Sequence, residues 1–151
     1  MGKTNFTVQE IQVRYQPIIV PTNKITDSKS AVSILQGFFD EDTINFLEEC
    51  VVLYVNKNNK VLGVQKLSKG GLDCTVVDIR IVLATALKSF ATGIILSHNH
   101  PSGNLNPSEI DKRITNKLNE ACKIMDIVLL DHIIINTVGY FSFTDAGLIN
   151  R

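Results

Sequence analysis

Residues 93–111 read GIILSHNHPSGNLNPSEID and join a short apolar run to a polar loop and then to the start of a helix. The uninterrupted apolar character of residues 93–97 is typical of a strand buried on both faces. Residues 98–106 contain proline and glycine, which favour a loop. Pro107 suits the first position of a helix that Asn106 would cap. The stretch therefore predicts a strand–loop–helix unit.

Further strands and helices alternate around this unit. The apolar residues 50–55 predict a buried central strand, and residues 60–66 predict its partner across a turn. The remaining predictions are a helix that begins after Asp27 or Ser28, helices over 43–48 and 77–90, and strands over 127–135 and 140–143. The helix after Pro107 would bury Ile110, Ile114, Leu118, Ala121 and Met125. This alternation predicts an α/β fold, with a mixed β-sheet flanked by helices.

Composition excludes several classes of protein. The chain has 151 residues, with 15 basic and 15 acidic side chains, so its formal charge is zero. A neutral chain lacks the basic excess that favours nucleic-acid binding. It has no apolar run of membrane-spanning length, which is about 18 residues or more, and no signal-peptide core. Cys50, Cys74 and Cys122 form no C-x-x-C pair, so reduced thiols in a soluble cytoplasmic protein are expected.

The division of the chain follows from where the regular pattern starts. Residues 1–29 are predicted to be an N-terminal extension, and residues 30–151 are predicted to form one domain, as the length favours. The sequence gives no indication of an oligomeric state.

The strand–loop–helix unit carries a candidate metal site. His98 and His100 are two positions apart, so at an extended strand end their side chains point to the same face. Asp111 follows at the start of the helix, where the returning chain could bring it to the same point. Two histidines and one carboxylate leave a fourth coordination position open, as in catalytic zinc sites.

The residues alone also permit simpler interpretations. An H-x-H sequence often places two histidines in a loop without any metal. Ser108 and Asp111 are ordinary helix-capping residues. His132 lies beside Asp131 in an apolar strand; it could support a metal ligand, although a hydrogen-bonded structural histidine is the favoured interpretation.

The motif has a family resemblance. His98-x-His100-Pro101 followed by Ser108-x-x-Asp111 resembles the JAMM motif of the JAB/MPN metalloprotease superfamily. Similarity over roughly residues 30–150, including residues 97–104 and 130–134, points within that superfamily to the RadC-like JAB domain. The resemblance implies the JAB/MPN sandwich, which is cytidine-deaminase-like.

The resemblance also implies a role for each matched residue. His98, His100 and Asp111 would hold Zn²⁺, and Ser108 would hydrogen-bond a developing oxyanion. A glutamate just before the first core strand would act as general acid and base on a metal-activated water. Glu48 and Glu49 are the candidates, and counting back from residues 52–56 favours Glu48. The implied activity is cleavage of a peptide or isopeptide amide bond in a peptide or protein substrate.

Two other functions are compatible with the sequence. Full-length RadC-like proteins usually carry a helix-hairpin-helix region before the JAB domain, and this sequence does not contain one. Its absence and the zero net charge make nucleic acid a less favoured partner. The alternatives are a DNA-repair or mobile-element factor acting on or near nucleic acid, and a zinc-containing binding module without turnover.

Overall fold

The computed structural model describes residues 11–12, 14, 16, 23–70 and 76–150. Its helices and strands are, in chain order, α1 (Ser28–Leu35), β1 (Glu49–Val55), β2 (Val61–Lys69), α2 (Ile79–Lys88), β3 (Gly93–Asn99), α3 (Glu109–Ile124), β4 (Val128–Ile135) and β5 (Tyr140–Ser142). A single 3-10 turn, Gln36–Phe38, follows α1. The side chain of Asp27 caps α1, as predicted.

The strands form one mixed sheet. Their order is β2-β1-β3-β4-β5, in which β3 and β4 are parallel and the other neighbours are antiparallel. The parallel pair is connected through α3, the kind of crossover that parallel strands require. This architecture confirms the predicted α/β fold and is consistent with a JAB/MPN sandwich.

Helices cover both faces of the sheet, which explains the continuous apolar strands. On one face, side chains such as Val52 and Leu96 pack in a cluster with residues of α2 and α3. On the other face, side chains such as Leu53 and Ile95 pack in a cluster with residues of α1. Every residue of β1 and β3 is buried as a result.

The thiols of the described residues are part of this core. Cys50 and Cys122 are free and buried. Burial raises the pKa of Cys50 to about 12 and that of Cys122 to about 11, which keeps both as unreactive thiols at neutral pH. Cys74 lies outside the described residues.

Helix α3 presents a different face to the sheet from the one that its apolar residues predict. Its buried residues are Asp111, Thr115, Leu118, Asn119 and Cys122. Only Leu118 belongs to the predicted stripe, and Ile110 is 66% exposed. The cap is also different, because Ser108 rather than Asn106 accepts the backbone N–H of Asp111. The polar residues Asp111 and Thr115 point inward because they meet His98 and His132 of the sheet.

Residues 43–48 do not form the predicted helix but a series of turns. Some backbone bonds have helical spacing, such as Leu47 N–H to the Thr43 carbonyl at 2.8 Å. However, the side-chain amide of Asn99 donates to the carbonyls of Ile44 and Leu47, at 2.7 and 2.9 Å. Carbonyls held by this amide are directed at β3, so a tertiary contact replaces the continuation of the helix.

The N-terminal boundary of the domain stays a prediction. Lys24 forms a bridge to Lys60, and Ile25 is buried with the residues of α1. Most of residues 1–22 lie outside the described part of the chain. Within the described residues, no helix is long and apolar enough to cross a membrane.

Candidate metal centre

The end of β3 and the start of α3 meet at one point. His98 is the next-to-last residue of β3, and His100 directly follows the strand. Asp111 lies in the first turn of α3. Nε2 of His98 is 2.9 Å from Nε2 of His100. The Asp111 carboxylate oxygens are 3.2 Å from Nε2 of His98 and 3.4 Å from Nε2 of His100. The structure therefore brings the three predicted ligands together.

The surroundings of His100 and Asp111 favour a nitrogen lone pair and an ionised carboxylate where the two side chains meet. Nδ1 of His100 is 2.6 Å from the Asn104 carbonyl, so it donates its proton there, and the lone pair of the neutral ring is on Nε2. Burial alone would raise the pKa of Asp111, but the neighbouring rings of His100 and His98 and the hydrogen bond from the Ser108 hydroxyl hold that pKa well below its ordinary value. The Asp111 carboxylate, which can accept a hydrogen bond from the charged form of His100, raises the pKa of that ring.

The donor set fits a metal ion. Nitrogen lone pairs and a carboxylate repel each other at these distances unless a proton or a cation lies between them. Ligands at about 2.0–2.1 Å from a tetrahedral zinc ion are about 3.3 Å apart, close to the separations seen here. His98, His100 and Asp111 could therefore hold a metal ion, with their ligand atoms within 4.8 Å of one another.

The three residues line a cavity of about 630 Å³. Its walls are partly apolar, with Val77, Pro101, Pro107, Ile110 and Ile114. Ile110 and Ile114, which the sequence predicts to be core residues, line this cavity. The cavity therefore offers both polar and apolar surface to a ligand beside the three candidate metal ligands.

Glu48 lies in the wall of the same cavity. Strand β1 runs antiparallel to β3, with Cys50 opposite His98. Extending this register by two residues places Glu48 beside His100. Side chains alternate along extended chain, so Glu48 shares the face of Cys50, and Glu49 points to the opposite face.

The contacts of Glu49 show where that opposite face leads. Its side chain is 6% exposed, and Oε1 accepts a hydrogen bond from the Thr43 hydroxyl at 2.9 Å. The same oxygen is 3.3 Å from Nζ of Lys69. Glu49 therefore ties β1 to the turns before it and to β2, away from the cavity.

Ser108 has a structural role in this conformation. Its hydroxyl donates to Oδ2 of Asp111 at 2.7 Å, and its oxygen accepts the Asp111 N–H at 3.1 Å. This reciprocal cap positions the carboxylate for the metal centre. The predicted contact between Ser108 and an oxyanion stays a prediction, because it requires the hydroxyl proton to turn toward the cavity.

Comparisons with known proteins identify the family of this chain. A family model for the RadC-like JAB domain matches residues 25–148. The chain belongs to this family. A UPF0758 protein of Flavobacterium johnsoniae is 48% identical over 130 residues, which is 86% of this chain and 56% of that protein. A UPF0758 protein of Porphyromonas gingivalis is 39% identical over 126 residues, or 83% and 54% of the two chains.

These findings confirm the resemblance to the RadC-like JAB domain. The chain spans about half the length of the curated relatives it matches. The activity, substrates and partners of the whole proteins are therefore matters for proposal.

The sequence did not show the contacts that two residues of this RadC-like JAB domain, His132 and Asn99, make near the site. His132 on β4 lies with Nε2 2.8 Å from Nδ1 of His98. Leu96 pairs with His132 across the parallel strands, so His98 and His132 share one face. A lone histidine in an apolar strand was the available signal, but the sequence does not give the strand pairing. Asn99, the second residue, holds the turns that precede Glu48.

Replacing Asn99 with Asp should destabilise the domain by about 2–4 kcal/mol, because a buried carboxylate would face two carbonyl oxygens in place of two hydrogen bonds. Asn99 is fully buried, and its Oδ1 also accepts the Glu49 N–H at 2.6 Å. Urea unfolding would measure the loss of free energy. Asn56→Asp is the matched control, because the Asn56 oxygen accepts two backbone N–H groups and Asp can do the same. Equal midpoints for the two variants would contradict the prediction.

Proposed function

We propose that this RadC-like JAB domain is a zinc-dependent metallohydrolase that cleaves a peptide or isopeptide amide bond. The observation that carries the proposal is the convergence of His98, His100 and Asp111 in a cavity whose wall also holds Glu48. Two imidazoles and one carboxylate form a donor set that suits zinc and leaves a position open. Glu48 adds the acid–base group that hydrolysis needs.

The residues would divide the chemistry as follows. A bound zinc ion would supply Lewis-acid chemistry, by acidifying a bound water and polarising a carbonyl. The Glu48 carboxylate would take up a proton from the nucleophile and return it to the leaving amine. Ser108, whose hydroxyl lies beside Asp111, would donate to the developing oxyanion. The partly apolar wall formed by Ile110 and Ile114 would hold the chain of the substrate.

A peptide or protein substrate is favoured over nucleic acid. The chain has no net charge, so it offers no bulk electrostatic attraction to phosphates. The basic residues of α3 include Lys112 and Lys123, which form ion pairs with Glu109 and Glu120 on the same helix. A solvated helix face accounts for these charges.

Mass spectrometry of a peptide library would test this function. The library should contain linear peptides and peptides joined through a lysine side-chain amide, each incubated with zinc-loaded protein. Cleavage that stops after chelation and returns with Zn²⁺ is the expected result. Cleavage that persists in the chelated protein would contradict the proposed chemistry, as would intact libraries of both kinds.

A further inference from the structure

A buried chain of hydrogen bonds lies behind His98. The Thr115 hydroxyl on α3 is 2.6 Å from the backbone carbonyl of Asp111 and 2.5 Å from Nδ1 of His132. Nε2 of His132 is 2.8 Å from Nδ1 of His98. Thr115 and His132 are each 1% exposed, and the His132 ring stacks on Phe143 at a centroid distance of 4.6 Å. These groups therefore satisfy one another rather than water.

The acceptor at the end of the chain determines where the protons lie. A carbonyl oxygen only accepts, so the single hydroxyl proton of Thr115 is donated to Asp111. Oγ1 of Thr115 must then accept from His132, which places a proton on Nδ1 of His132. A charged His132 ring would be a buried cation facing a hydroxyl and an imidazole rather than a carboxylate, so the ring is neutral. Its Nε2 consequently carries a lone pair.

The same reasoning continues to His98. Nδ1 of His98 faces the lone pair of His132 and must donate to it. A neutral imidazole has one N–H, so Nε2 of His98 then carries a lone pair. That nitrogen is the one that faces His100 and Asp111.

We propose that Thr115 and His132 are positioning residues that hold His98 in its Nδ1–H tautomer and keep Nε2 available for the metal. The inference rests on the metal centre of the proposed function and adds the device that prepares one ligand in advance. The opposite tautomer would put a proton on the nitrogen that has to bind the metal. Partners of this kind, behind a ligating histidine, typically change metal affinity by 10–100-fold.

Nitrogen NMR of the metal-free protein tests the tautomer directly. The chain has three histidines, so ¹⁵N-histidine labelling gives few signals, and His132→Gln assigns one of them. At a pH well above the ordinary imidazole value of about 6.5, two-bond proton–nitrogen spectra distinguish Nδ1–H from Nε2–H. We expect Nδ1–H at both His98 and His132. A proton on Nε2 of His98 would overturn the proposal.

Matched substitutions test the consequence for the metal. Thr115→Val keeps the shape of the side chain but removes the hydroxyl, and Thr115→Ser keeps the hydroxyl. His132→Phe removes the acceptor, and His132→Gln keeps an oxygen that can accept from His98. Competition with a chelator should show Zn²⁺ bound 10–100-fold more weakly by the Val and Phe variants than by their Ser and Gln counterparts.

The two measurements separate this inference from the proposed function. Equal zinc affinity of Thr115→Val and Thr115→Ser would overturn the inference even if the protein cleaves peptides. A protein that binds zinc and cleaves nothing would leave the positioning role supported and the hydrolase proposal refuted. If the unaltered protein binds no zinc, the metal centre fails, and the inference that rests on it fails with it.

Discussion

Asp111→Asn is expected to weaken zinc binding by well over 100-fold, more than the loss of an indirect partner of a ligand costs. The substitution removes the negative charge of the three-ligand set. Two imidazoles and an amide, all neutral, would then face the metal cation. An amide also matches the Ser108 cap less well than the carboxylate that now accepts from Ser108 N and Oγ, each at 2.7 Å. Metal content after dialysis against trace zinc, with chelator competition, would measure the effect.

The control for this variant lies on the same helix. Glu109→Gln makes the same change from carboxylate to amide in the first turn of α3, where Glu109 is exposed and paired with Lys112. Its zinc stoichiometry and affinity should equal those of the unaltered protein. His98→Ala provides a second test of the site. Retention of stoichiometric zinc in a His98→Ala, Asp111→Asn double variant would refute the assignment of these ligands.

Glu48→Gln is expected to retain zinc and to lose turnover by about 10²–10⁴-fold, the usual contribution of a general acid–base group. Glu48 lies in the cavity wall but is not part of the three-ligand cluster. A neutral amide cannot take up the proton, and it has nearly the same size as the carboxylate. Hydrolysis of whichever library peptide is cleaved, measured alongside zinc content, would separate catalysis from metal binding.

Glu49→Gln distinguishes the two adjacent glutamates. Glu49 faces Thr43 and Lys69 rather than the cavity. Removing its charge should therefore lower the free energy of unfolding modestly and leave turnover close to that of the unaltered protein. An inactive Glu49→Gln with an active Glu48→Gln would show that the acid–base group was assigned one residue too early. Loss of zinc in Glu48→Gln would instead make Glu48 a ligand.

The strands of the core could be predicted from sequence because their patterns are local. Uninterrupted apolar runs predicted β1 and β3, which are buried throughout, and an apolar run interrupted by Asp131 and His132 predicted β4, which is buried from Asp131 onward. The strand–loop–helix unit also places both ends of the metal motif in a short segment. Few long-range contacts are needed to bring Asp111 back to His98.

The buried face of α3 could not be predicted in this way. Its apolar residues suggested a stripe with Ile110 and Ile114, but these two residues line the cavity. Asp111 and Thr115 point inward because they satisfy groups on the sheet, such as His98 and His132. A polar pair on the buried side has no signature in hydrophobic periodicity.

By itself, the sequence determined the family, the mixed α/β architecture and the three residues that could hold a metal. Each of these depends on patterns that are contained in short segments of chain. Only the tertiary structure decided that Glu48 rather than Glu49 faces the cavity and that His132 contacts His98. It also decided that the segment before β1 forms turns bound by Asn99 instead of a helix. All three depend on the register between strands that are distant in sequence, and a shift by one residue would turn each side chain to the other face.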